Sequence, residues 1–110
     1  MTNPQKRKGD RAELEVQAIL QDHLGMGRRA LGAGRTDDIG DITGIPDLTI
    51  SVKAYKDTAR AINEALTDLP RQQENAGTAY GCAFIRRKGG RYIVVMEPDT
   101  FLELYREAAL

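Results

Sequence analysis

Leu48-Thr49-Ile50-Ser51-Val52-Lys53 alternates apolar and polar residues without a break. Successive side chains of a strand point to opposite faces, so this run reads as a strand with one face on a core. Leu48, Ile50 and Val52 lie on one face; Asp47, Thr49, Ser51 and Lys53 lie on the other. Every other element must be arranged around that strand.

From Asp10 to Leu24 the spacing is helical. Ala12, Val16, Ile19 and Leu20 form an apolar stripe, with Asp10 as the expected N-cap and Gly25 as the stop. Residues 26–31 form a short strand, and the turn-prone Gly32, Gly34, Asp38 and Gly40 lead into Asp41-Ile42. A turn over residues 43–46 then returns the chain into the 48–53 strand. Residues 58–76 are helical, and Pro70 predicts a kink or two shorter helices near Leu69. Asn75 and Gly77 suit the end of that region. Tyr80 to Arg86 forms a strand, Lys88-Gly89-Gly90 a hairpin turn, and Arg91 to Met96 its return. Pro98 and Asp99 open a last helix through Phe101, Leu104, Tyr105 and Ala108. The order αβββαββα predicts an α/β domain, a mixed sheet flanked by helices.

A chain of 110 residues makes room for one core. Residues 1–8, with Lys6, Arg7 and Lys8 in a row, read as a flexible basic arm ahead of a single domain over 9–110. Sixteen basic residues balance sixteen acidic ones, which excludes a polybasic coat but allows a basic face opposite an acidic pocket. The lone Cys82 excludes an internal disulfide and a multi-cysteine zinc site, and its strand context places it in the core. With no apolar run for a signal peptide or a membrane span, the expected compartment is a reducing cytoplasm.

The chemistry concentrates between Asp37 and Lys56. Asp37, Asp38, Asp41 and Asp47 stand just ahead of Lys53, which shares a strand face with Ser51. A hairpin at residues 43–46 brings Asp41 beside that face, with its register left open. Carboxylates next to a lysine suit phosphodiester hydrolysis. A hard cation such as Mg²⁺ is held by one or two carboxylates and keeps several waters. It polarises the phosphate and lowers the pKa of a bound water, while a lysine stabilises charge growing on the phosphate. A polar turn followed by a solvent-facing lysine accounts for the same spacing.

GDITGIPDLTISVK resembles the core of the PD-(D/E)xK nuclease superfamily, in particular the Holliday junction resolvase-like proteins of bacteriophages and archaea. The upstream KGDRAE resembles the glutamate-bearing first helix of those proteins, and the element order matches their core over roughly Lys8 to Leu104. The resemblance implies a restriction-endonuclease-like fold and a Mg²⁺- or Mn²⁺-dependent endonuclease that acts on branched DNA or four-way junctions. It also implies a phage-encoded protein in a bacterial cytoplasm. Symmetric cutting of two strands implies a homodimer. Glu13 matches the first-helix carboxylate, Asp41 the first metal ligand, Lys53 the catalytic lysine and Gln72 the glutamine of the following helix. Asp47 competes with Asp41, because the literal Pro-Asp pair is Pro46-Asp47.

The departure from that pattern is Ser51, which stands where the family carries an acidic ligand two residues before the lysine. Either another acid (Asp47, Glu64 or Glu13) completes the site, or the backbone carbonyl and fewer charges suffice, or the chain is a catalytically impaired nuclease fold that binds branched DNA or a protein partner. Glu13 also stands three residues after Asp10, the spacing of a capping box. His23, on the apolar stripe, reads as a packed histidine. Lys6, Arg7, Lys8, Arg28, Arg29, Arg35 and Lys56 are the candidate phosphate contacts. Arg86, Arg87, Lys88 and Arg91 add a second basic set around the later hairpin.

Overall fold

The computed structural model describes residues 3–30 and 37–110. The chain runs α1 (Pro4–Leu24), β1 (Arg28–Arg29), β2 (Ile42–Thr43), β3 (Leu48–Lys53), α2 (Thr58–Ala76), β4 (Tyr80–Arg86), β5 (Tyr92–Val95) and α3 (Pro98–Ala109). The strands form one mixed sheet in the order β1-β2-β3-β4-β5. β1, β2 and β3 pair antiparallel, α2 carries the chain across to a parallel β4, and β5 returns antiparallel. This is the α/β class and element order that alternation and helical spacing predict.

The two helices cover opposite faces. Ala12, Val16 and Leu20 of α1 pack with Ile42, Ile50, Val52 and Cys82. Ala61, Ala65 and Leu69 of α2 pack with Ala83 and Ile85. Small alanines at four-residue spacing let the α2 backbone sit close to the sheet. Burying each Val, Leu or Ile side chain contributes about 1.5–3 kcal/mol.

Three sequence expectations need correction. α1 begins at Pro4 with Asn3 as its cap, Asn3 Oδ1 accepting from the Gln5 N–H at 2.8 Å. Lys6, Arg7 and Lys8 therefore lie on the first turns of a helix rather than on an arm, and Asp10 and Glu13 are not its capping pair. The buried stripe is Ala12, Val16 and Leu20, while Ile19 and His23 turn outward. His23 Nδ1 still finds the Ile19 carbonyl at 2.9 Å. Finally, α2 runs through Pro70 as one helix. The missing N–H of Pro70 falls on its exposed side, and burial of Leu69 and Gln72 on either side holds the turn in place. Cys82 is buried as expected, and burial pushes its thiol up to about 11.

α3 is different from the other helices. None of its residues is buried. No helix among the described residues is long and apolar enough to cross a membrane.

Candidate active site

The antiparallel pairing of Ile42 with Ile50 settles the register that the hairpin left open, and the Asp41 N–H donates to the Ile50 carbonyl at 2.8 Å. Beyond Asp41 the chain turns out of the ladder at Gly40, where φ is 93°. A Cβ there would lie 2.9 Å from the Ile50 carbonyl oxygen, so only glycine fits. The departure leaves the Val52 N–H without a strand partner on that side, and Asp41 Oδ2 accepts it at 2.7 Å. Burial raises the Asp41 carboxyl above its ordinary pKa and the Asp38 charge adds to this, against the Val52 N–H and the Lys53 ammonium.

Thr49, Ser51 and Lys53 face α2, since Ile50 and Val52 face α1. Lys53 Nζ lies 3.6 Å from Asp68 Oδ2 on α2 and 5.7 Å from the Tyr55 ring centroid. Ser51 is 0% exposed. Its hydroxyl is near enough to lower the pKa of Asp41, yet Oγ makes no hydrogen bond of acceptable geometry.

Gln72, also buried, donates from Nε2 to Asp38 Oδ2 at 2.9 Å, while its Oε1 has no partner. Asp38 further accepts the Gly40 N–H at 2.9 Å on Oδ1 and lies 3.7 Å from Arg71. Burial works against the Asp38 carboxylate, but Gln72, Gly40 and Arg71 together hold it below the ordinary range. Asn75 Nδ2 binds the Asp38 carbonyl at 2.8 Å. α2 thus anchors the chain just ahead of Asp41. The sequence shows Asp38 only as one of four clustered carboxylates, and it does not single out Asp68 or Arg71. The available signal was the four-residue spacing of Asp68 and Gln72, which puts both on one helix face.

Glu13 is held elsewhere. Arg29 lies 3.0 Å from its carboxylate and 2.8 Å from that of Asp10. Arg29 shares a face with its cross-strand neighbour Ile42, the α1 side, so this trio sits across the sheet from Lys53. Burial raises the Glu13 pKa, and the Asp41 charge raises it further, with Arg29 opposing. The two carboxylates therefore sense each other.

Asp47 stands apart from Asp41. It adopts a left-handed conformation, φ 59°, and its Oδ1 accepts the Ala79 N–H at 2.7 Å. It ties the start of β3 to the start of β4, roughly 13 Å along the strand from Ser51. Glu64 is occupied by Arg60 at 3.1 Å. Among the described residues, no three His, Cys, Asp or Glu side chains converge as a metal-holding group.

The candidate phosphate contacts divide. Lys6 binds Asp10 at 3.0 Å, and Arg29 binds Asp10 and Glu13, so both are engaged internally. Arg28 is exposed near the β1 edge. Arg35 lies outside the described residues. Arg7 and Lys8 line one hollow with Arg11 and Arg86. Lys8 and Lys56 line a second with Arg86, Arg87 and Lys88. Shared Lys8 and Arg86 make these one basic groove, about 500 Å³ in its second part. Glu15 partly neutralises Arg86 at 3.1 Å and accepts the Tyr92 hydroxyl at 2.6 Å.

No family model, curated protein or solved structure matches the chain.

Proposed function

We propose that this protein is a divalent-metal-dependent endonuclease acting on branched DNA, with Asp41 and Lys53 at its reacting centre. One observation carries the reading. A half-buried carboxyl raised mainly by burial, two orphaned buried oxygen-bearing groups (Ser51 Oγ and Gln72 Oε1) and a held lysine belong to the β2–β3 junction and the α2 face above it. Unpaired buried polar atoms cost about 1–3 kcal/mol each, so their persistence points to a ligand. The strand order, with three antiparallel strands and an α2 crossover to a parallel fourth, supports a restriction-endonuclease-like fold.

The oxygen donors fit Mg²⁺ or Mn²⁺, which take hard oxygen ligands and tolerate a single carboxylate with waters. Asp41, Ser51 and Gln72 would hold the ion, which when bound supplies Lewis acidity and a water of lowered pKa. Asp41 also holds the end of β3 through Val52, fixing where Lys53 points. The Lys53 ammonium, steadied by Asp68, donates to the phosphoryl oxygen that gains charge. Glu13 acts through the field it exerts on Asp41.

Ser51 favours a second reading, a fold that binds branched DNA without cutting it, because a hydroxyl replaces a carboxylate ligand. The two separate in one assay. A four-way junction and a linear duplex are incubated with the protein, with and without Mg²⁺ or Mn²⁺. Metal-dependent products, lost in Asp41→Asn and Lys53→Ala, support the nuclease. Junction-selective binding without products supports the binder. Neither products nor selective binding overturns both.

A further inference from the structure

We infer that α3 is a self-association element, pairing antiparallel with α3 of a second copy of this chain about a two-fold axis. The inference is independent of the nuclease reading. A twelve-residue helix is marginal in water unless an apolar face is packed, yet none of α3 is buried. Phe101, Leu102 and Tyr105 are 54%, 55% and 64% exposed, with Phe101 and Tyr105 stacked at 6.3 Å between centroids. At 100° per residue these three share one face with Ala108 and Ala109. The opposite side is the one tied down. The Tyr80 hydroxyl donates to Glu107 Oε1 at 2.8 Å, and Thr100 and Leu104 are half-buried. The apolar stripe is thereby held facing outward.

Charge identifies the occupant. Asp99 and Arg106 both border the stripe on its Leu102 side, exposed and in no ion pair within the chain among the described residues. Seven residues separate them, about 10 Å along the axis, too far to meet each other. A two-fold axis perpendicular to two facing antiparallel helices places like edge against like edge. Asp99 of each copy then meets Arg106 of the other, so the pattern is self-complementary. Area agrees. The three large side chains expose roughly 350 Å² per chain. Doubled by symmetry, with the alanines and the charged rim included, this reaches the ~1,000 Å² that a specific interface needs.

Sedimentation equilibrium on the full chain tests the inference. The expected wild-type species is a dimer at micromolar concentration, with helical circular dichroism that falls on dilution. Tyr105→Glu should abolish the dimer. Asp99→Arg and Arg106→Asp should each weaken it, about threefold to tenfold. The double swap should restore homodimers, and mixing the two single variants should yield heterodimers. A wild-type monomer at 100 µM (order of magnitude for a specific interface) overturns the inference. So does a dimer that Tyr105→Glu leaves intact, or single swaps without effect. Both swapped residues are exposed, so an altered fold does not confound the charge series.

Discussion

Val52 donates its backbone N–H to Asp41 Oδ2 over 2.7 Å, so the carboxylate beside the Ser51 hydroxyl also ends the β2–β3 ladder. In the proposed site, structure and chemistry would therefore share one side chain, and substitutions can separate them. Asp41→Asn keeps an acceptor for Val52 and removes the charge. Asp41→Ala strands the buried N–H and should cost about 1–3 kcal/mol.

The sign of the pH dependence follows. The folded-state pKa of Asp41 is raised above its ordinary 3.8, mainly by burial. The folded state then binds the proton more tightly than the unfolded state, and stability falls as pH rises between the two values. Above the folded value the ionised carboxylate is a net burden. Asp41→Asn should thus be more stable than wild type at pH 7 without metal, and the difference should vanish as pH falls toward 3.8. Urea unfolding of both proteins across pH 3–8 checks this; a variant less stable than wild type at pH 7 would contradict it.

Asp47→Asn should keep both the cap on Ala79 and the left-handed backbone, since asparagine tolerates φ near 59°. Cleavage and stability should stay near wild type. Asp47→Ala loses the cap and should cost about 1–3 kcal/mol. Were Asp47→Asn to abolish cleavage with its stability intact, the site would be centred on the Pro46-Asp47 pair instead.

Much of the architecture was legible because strand alternation and helix spacing are local. LTISVK and YGCAFIR are strands where the alternation and buried runs placed them, and the 43–46 turn returned Asp41 to the Ser51 side. The misreadings come from competing local signals and from distance in sequence. Asn3-Pro4 is a cap followed by a proline at the first helical turn, a signal that the Lys6-Arg7-Lys8 charge run masks because the same run is typical of a loose arm. Ile19 lies on the same wheel as Val16 yet just beyond the strip the sheet covers. The fate of Glu13 and Asp47 depended on Arg29 and Ala79, 16 and 32 residues away. No periodicity reports such partners.

The basic groove makes a graded expectation for salt. Lys8, Lys56, Arg87 and Lys88 line it without an ion pair among the described residues, whereas Lys6 and Arg29 are engaged by Asp10 and Glu13. If the groove carries the DNA backbone, Arg87→Ala and Lys88→Ala together should lower the slope of log K against log salt by about 1.8 on duplex, about 0.9 per lost phosphate contact. Lys6→Ala should change it little. Equal slopes for the double variant and wild type, measured by fluorescence anisotropy from 50 to 200 mM salt (the range over which such losses are about 10³–10⁵ for 6–10 contacts), would remove the groove from the DNA path.

Ser51→Asp tests the proposed metal most directly, because it introduces a carboxylate at a position with no solvent exposure. Without metal, a carboxylate at position 51 would stand beside that of Asp41, the two would repel, and one must hold a proton. The variant should be less stable than wild type, and the deficit should grow as pH rises from 4 to 8 (roughly the span over which paired carboxylates titrate). A divalent ion between them reverses the balance. Binding at ten times its dissociation constant stabilises the folded state by about 1.4 kcal/mol. Mg²⁺ or Mn²⁺ should therefore raise the melting temperature of Ser51→Asp more than that of wild type, with Ca²⁺ as a cation of the same charge for comparison and Ser51→Asn as the uncharged control. If the site is catalytic, the same variant should cleave at lower metal concentration than wild type. A melting temperature that responds equally to metal in Ser51→Asp and Ser51→Asn would show that position 51 does not face a cation, and the reacting centre assigned to Asp41 and Lys53 would lose its metal.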